Sequence, residues 1–488
     1  MQYIIRYITT VFPLLAAGVI LNSSAFAATI RAASCVSSDV QAAINSATAG
    51  DTIVLPPCTV TYTTPASNTP SVNINKAVTV QGQTICAGRA TTLACTDQTI
   101  INDGTGTGPD EDPFLISVSG GRLTGITIFD PRPNGDYKFA VDTARGTTNW
   151  RIDHCHIHPS NTTTGGIGAL GFGLIDHNYI DTANTGVSGQ GDHPLDAKYN
   201  GDYNWSQPLN AGTANAIYIE DNEFVYSQVL NGIDNYDGAR WVFRYNDVQG
   251  TNIANHGLDS TSNGRSTMLS EVYNNTFSNS GTHIYQWFVT RGGTYFVFNN
   301  VISASGGSFD LFIDLREYRA DTSQYQWGIC DGTNPIDGNT LGQQGWPCMD
   351  QVGRATNQLA TPSYSWGNNW KGSAPTVANT QVCGSSDCSS TNRAGVYQIL
   401  NNREFYVEAP NFNGTVGTGT GLLSARPATC SGSVGYWATD TNTLYQCSGA
   451  NTWSAFYRPY SYPHPLQTQG SAPVSGITPP TNLVTIVR

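Results

Sequence analysis

Six segments of this 488-residue chain repeat one short pattern, and that pattern constrains the fold more than any other feature. They are Ile152-Asp-His-Cys155-His-Ile157, Ile175-Asp-His-Asn178-Tyr-Ile180, Ile219-Glu-Asp-Asn222-Glu-Phe224, Phe243-Arg-Tyr-Asn246-Asp-Val248, Val272-Tyr-Asn-Asn275-Thr-Phe277 and Val297-Phe-Asn-Asn300-Val-Ile302. Each runs apolar, two variable residues, Asn, one variable residue, apolar. Cys155 stands for Asn in the first. The fourth positions are 23, 44, 24, 29 and 25 residues apart. A unit of this size cannot bury its apolar face alone, but copies stacked at strand spacing, roughly 4.8 Å, can. The expected fold is all-β: a right-handed parallel β-helix, a single-stranded solenoid of about nine or ten coils up to residue 320. The interval of 44 fits one coil with a long insertion, or two coils with one disguised.

The Asn column has a physical reason. Asn tolerates the left-handed backbone of a tight corner, and stacked amides can bond up the stack as a ladder. Cys155 shares that column and is expected to be a buried small residue. Residues 39–47 read as a short amphipathic helix with Val40, Ala43, Ile44 and Ala47 on one face and Asp39 or Ser38 as N-cap. Such a helix would close the first coil against edge pairing.

The chain begins like a signal peptide: Arg6, an apolar stretch over residues 11–21, then Ala25-Phe26-Ala27. Cleavage is expected after Ala27. Pro13, Gly18 and the short apolar run argue against a permanent membrane helix. The mature protein is expected to be secreted, either periplasmic or extracellular. Eleven cysteines agree with an oxidising compartment. Ten form sequence-local candidate pairs: Cys35/Cys58, Cys86/Cys95, Cys330/Cys348, Cys383/Cys388 and Cys430/Cys447. Residues 28–380 are assigned to the β-helix. Residues 381–488 form a tail packed on it, with a hairpin unit around Gly435 to Trp453.

Charge narrows the partners. The formal net charge is −12, and loss of Arg6 with the signal makes it −13. Lysine occurs only at Lys76, Lys138, Lys198 and Lys371. No basic stripe for nucleic acid is visible. An acidic polysaccharide remains compatible, since a divalent cation such as Ca²⁺ can bridge acidic protein and acidic sugar.

Two stretches resemble the pectate-lyase-like superfamily. Asp39-Val-Gln-Ala-Ala-Ile followed by Gly50-Asp51-Thr52-Ile-Val-Leu is similar to the usual entry of such proteins. Trp150-Arg-Ile-Asp-His-Cys155 is similar to the Trp-x-x-Asp-His segment of pectate lyases. The resemblance covers roughly residues 29–320 and implies the fold. It does not transfer an activity, because this fold hosts lyases, hydrolases, epimerases and adhesins. The Arg-x-Pro-x-x-Arg segment of pectate lyases is absent. So is the Asn-Thr-Asp, Gly-His-Gly and Arg-Ile-Lys set of polygalacturonases; His256-Gly-Leu-Asp259 resembles it only faintly. The ending Tyr462-Pro-His-Pro-Leu466 is similar to that of a set of exported β-helix proteins.

The resemblance implies a substrate face on the strands preceding the Asn-bearing ones. These are expected at 139–145, 232–237, 256–261, 285–291 and 311–317. Strand alternation then points Val141, Ile233, Leu258, Phe288 and Ile313 inward. It points Asp142, Asp234, Tyr236, Asp259, Arg291, Asp314 and Arg316 outward. Asp234 and Asp259 would lie one strand spacing apart, roughly 5 Å. Two such carboxylates either bind a cation, Ca²⁺ above all, or raise one pKa. Arg291 and Arg316 would grip sugar carboxylates or help abstract a proton, with Tyr236 and His256 as proton-transfer groups. Asp142, Asp314, Lys198 and exposed Trp205 and Trp287 are the expected substrate contacts, with Tyr203 a further aromatic. The insertion over 182–215 would form one wall. His154, His156, His158 and His177 form a second cluster, in which His154 and His177 share a column as a possible metal pair. The bland alternatives are surface pairing of the Asp and Arg groups and turn hydrogen bonding by the histidines.

The function read from these features is cleavage of a uronate polymer by β-elimination. Glycoside hydrolysis and a non-catalytic rod are the alternatives.

Overall fold

The structure is a computed structural model, which describes residues 27–86, 95–106, 111–130, 138–159, 164–182, 187–189, 202–258, 264–279, 284–303, 309–316, 346–371, 377–381 and 399–468. It is a parallel β-helix. Each coil contributes strands to three faces, and each strand pairs in parallel with its counterpart on the next coil.

The first face has twelve strands, from Thr29–Arg31 to Phe405–Val407. The stack therefore continues past residue 380, the boundary expected from composition. Inside this face runs an apolar column: Ile53, Val80, Leu123, Ile152, Ile175, Ile219, Phe243, Val272 and Val297, each in register with the next. All nine are buried. Column burial of this kind supplies the main driving force, since apolar area leaves water on every coil. The interval of 44 is one coil with an insertion, for Phe172–Asp176 pairs directly with Ile217–Glu220.

The second face begins at Cys58–Tyr62 and carries His156–Pro159 and Tyr179–Thr182. The third carries Val72–Ile74, Phe114–Ile116, Lys138–Thr143, Thr164–Ala169, Ile284–Thr290 and Phe309–Arg316. Glu223–Asn235 and Asp247–Asn255 are long enough to belong to both.

The Asn ladder is present and continues to Asn368. Asn222 donates from its backbone N–H and from Nδ2 to Asn246 Oδ1, at 3.0 and 3.1 Å. Asn246 does the same to Asn275, Asn275 to Asn300, and Asn300 to Asn368. Cys155 starts the column, buried, donating its N–H to Asn178 Oδ1 at 2.9 Å. Burial pushes its thiol pKa up to about 12. The left-handed residue is not the Asn itself. It is the preceding one: His154, His177, Asp221, Tyr245, Asn274 and Asn299 all have φ between 52° and 58°. The corner is turned there, and the Asn is spared for the ladder.

The capping helix spans Ser37–Ser46 and buries Val40, Ala43 and Ile44. Its start differs from expectation: Val36 is at the N-cap, and Asp39 lies in the first turn, accepting the Ser34 hydroxyl at 2.6 Å. Cys35–Cys58 ties this cap to the second face, and Cys86–Cys95 and Cys430–Cys447 are also bonded. Cys348 is disulfide-bonded; Cys330, Cys383 and Cys388 lie outside the described residues.

The tail packs on the first face. Thr418–Gly421, Gly435–Ala438, Thr443–Gly449 and Thr452–Tyr457 form a small sheet, antiparallel over its last three strands. Its Trp437 and Tyr457 lie on Phe298, in an outer aromatic column of Tyr273, Phe298 and Trp366. Beyond Tyr457 the chain crosses five strands of this face as a strap. Tyr457 Oη donates to Glu271, Arg244 donates to the Tyr460 and Ser461 carbonyls, His464 N–H donates to Glu220, and Arg151 donates to the Leu466 carbonyl. The first face is therefore covered across these strands. Among the described residues, no helix is long and apolar enough to cross a membrane.

Candidate functional site

The third face brings together most of the residues expected to carry chemistry, but in a different register. Ile233, Ile253, Phe288 and Ile313 form its inward row. Ile253 holds the place expected for Leu258, so the strand on that coil lies five residues earlier. The shift is odd, and an odd shift exchanges the two faces. Asp234 is therefore in register with Ala254. Asp259 itself, like Lys198, lies outside the described residues.

The same shift creates another row. Asn235 pairs with Asn255, Asn255 with Thr290, and Thr290 with Leu315. One residue further along each coil stand Tyr236, His256, Arg291 and Arg316. His256 Nε2 lies 3.2 Å from Asp234 Oδ2, and its ring centroid is 6.1 Å from that of Tyr236. Asp234, Tyr236, His256 and Arg291 are all partly exposed.

Behind them sits Asp237, buried, with Oδ2 3.6 Å from an Arg145 guanidinium nitrogen. Burial raises its pKa to about 6, against the opposing pull of Arg145 and His256. Oδ1 of Asp234 and Oδ1 of Asp237 are both buried, with no hydrogen-bond partner among the described residues. Alternation does not single out Asp237 and Arg145, which lie two residues beyond the strands ending at Asn235 and Thr143. The signal that could have found Asp237 is the Asp237-Gly238 pair, both left-handed, which marks a corner next to the row.

Three expected contacts are corrected. Trp205 is 1% exposed: its short helix, Asp202–Ser206, docks inward, Nε1 donates to the Ser266 carbonyl, and the Arg265 guanidinium covers the ring. Trp287 is 0% exposed, stacked on Phe312 and edge-on to Phe277 in the core. Neither ring can stack on a sugar. Asp314 is 0% exposed beneath Arg316, whose Nε donates to it at 2.6 Å. Asp314 is thus a structural counter-ion, and Arg316 is engaged with it. Asp142 remains partly exposed on the outer row, three coils before Asp234, roughly 14 Å away. Gly168 and Ser188 lie between them in register. The helix of the insertion adjoins this site, since Asn204 Nδ2 donates to the Asp237 carbonyl at 3.3 Å. Tyr203 is exposed on that helix.

His154 and His177 belong to the corners. Their rings stack with centroids 5.0 Å apart, and each Nδ1 bonds the preceding Asp. Those carboxylates are already held by Arg122 and Arg151. His156 and His158 project from the second face, with Asp181 beside them.

No family model matches this chain, and no curated protein does. The chain is similar to the solved structure of a PL6 family polysaccharide lyase from Pseudopedobacter saltans, at 12% identity and a TM-score of 0.31, covering 76% of this chain and 99% of that one.

Proposed function

We propose that this protein is an exported enzyme that cleaves a uronate-containing polysaccharide by β-elimination. The observation that carries the proposal is the His256–Asp234 contact beside Tyr236 on the third face. With Nε2–H donated to Asp234, the Nδ1 lone pair is the basic position. It takes the C5 proton of a uronate. The C5 electron pair forms the C4–C5 double bond, the C4–O bond breaks, and the Tyr236 hydroxyl protonates the departing oxygen. Arg291, next in the row, holds the uronate carboxylate in this reading and offsets charge at C5. Export is supported by the signal-like opening and the bonded cysteines.

Glycoside hydrolysis is the second reading, and Asp237 favours it. A carboxyl whose pKa is raised to about 6 by burial can serve as general acid, with Asp234 as the second carboxylate. In the elimination reading a Ca²⁺ ion bridging Asp234 and the uronate carboxylate would help acidify the C5 proton.

The test is turnover of a panel of uronate and neutral polymers, with and without calcium, followed by ultraviolet absorbance and reducing ends in parallel. Both signals rising on one polymer, and both lost in His256→Gln, supports elimination. Reducing ends alone, lost in Asp237→Asn, supports hydrolysis. Silence of both across the panel overturns the enzyme and leaves a rigid rod.

A further inference from the structure

The second face carries a group that this proposed function does not use. His156 and His158 are two residues apart on one strand, so both project to the same side. Asp181 comes from the next coil. Its Oδ1 lies 2.8 Å from His156 Nε2 and 2.9 Å from His158 Nδ1. One ligand atom from each of the three lies within 4.8 Å of the other two.

The surroundings hold both imidazoles in place. Asp97 Oδ1 bonds the other nitrogen of His156, Nδ1, at 2.9 Å, and accepts the Thr127 hydroxyl at 2.6 Å. The Phe129 ring meets both imidazoles edge-on, at 5.5 and 5.4 Å, and Tyr179 meets His156 at 5.3 Å. A carboxylate on the far nitrogen of a ligating histidine is the usual way to fix its tautomer and aim its lone pair. Here that carboxylate has its own supporting hydroxyl.

We propose that His156 Nε2, His158 Nδ1 and Asp181 form a site for a divalent transition-metal ion, Zn²⁺ or Co²⁺, with Asp97 as the orienting carboxylate. Two imidazoles and one carboxylate suit these ions and not Ca²⁺, which takes oxygen ligands. Binding replaces the protons shared between the imidazoles and Asp181 and releases them to solvent. The fourth position is open to water, and the ion ties the strand of one coil to the next. The site is on a different face from His256 and stands independently of the proposed reaction.

The test is titration of chelator-treated full-length protein with Co²⁺, read by visible absorbance. The expected result is one saturating equivalent with ligand-field bands, displaced by Zn²⁺. His158→Ala and Asp181→Asn each remove the bands, Asp97→Asn weakens binding about 10- to 100-fold, and His177→Ala changes nothing. Thermal melts of the apo variants confirm that each folds, and Asp181→Asn serves if His158→Ala does not. No saturable binding, bands that survive loss of Asp181, or bands lost in His177→Ala would each overturn the site.

Discussion

His256 reaches back one coil to place Nε2 3.2 Å from Oδ2 of Asp234. The contact depends on where the strand Asp247–Asn255 stops, because His256 is the first residue beyond it. Replacing His256 by Gln should lower kcat about 10²- to 10⁴-fold with little change in melting temperature. Asp234→Asn should cost less, since it only misdirects the imidazole. Kinetics on the polymer found active, with melts alongside, check both.

Arg316 is expected to matter for stability before it matters for chemistry. Its guanidinium lies on the fully buried Asp314. Arg316→Ala removes that counter-charge from a buried carboxylate and should destabilise the protein by about 3 kcal/mol. Urea unfolding of the variant, set against Arg316→Lys, reads the difference.

The ladder makes its own prediction. Asn246 accepts two bonds from Asn222 and donates Nδ2 to the Ile219 and Arg244 carbonyls and to Asn275. Asn246→Ala strands several buried groups at once. We expect a loss of about 3 kcal/mol or more, measured by denaturant midpoint.

Two buried groups where the strap meets the first face, His464 on the strap and Glu271 on the face, titrate in opposite senses. Burial lowers the His464 pKa to about 4, so the unfolded chain binds the proton more readily between pH 4 and 6.5. Its contribution, about 3 kcal/mol, is present above that window and lost as pH falls through it. Burial raises the Glu271 pKa to about 7, outweighing the bonds from Tyr457 and Gly212. Its contribution is lost as pH rises from 4.5 to 7. The two contributions oppose each other across this range. Relative to wild type, Glu271→Gln should make stability rise more with pH, and His464→Gln should make it fall more. Urea midpoints from pH 4 to 7.5 distinguish the slopes.

The coil stack was legible because one amide per coil repeats at nearly constant spacing, and the structure adds only Asn368 to that column. The third face was half legible. Val141, Ile233, Phe288 and Ile313 follow alternation and point inward as expected. Leu258 is buried as well, but beyond the end of its strand: Asp247–Asn255 runs through two faces, turning at Gly250 with φ of 77°, so Ile253 takes the inward place in register. Trp205 and Trp287 misled for a different reason. A large aromatic ring is as suited to a core as to a sugar, and the sequence near it does not say which. Asp181 was invisible beside His156 and His158 until the strand pairing placed successive coils together.

In an array where each coil touches only its neighbours, melting can begin at an end and travel inward one coil at a time. The strap changes that. Its eleven residues from Tyr457 to Gln467 bond groups on strands as far apart as Arg151 and Glu271. Losing any one of those strands slackens the strap over all five, so the middle of the rod should open as a single cooperative block while its ends remain free to fray.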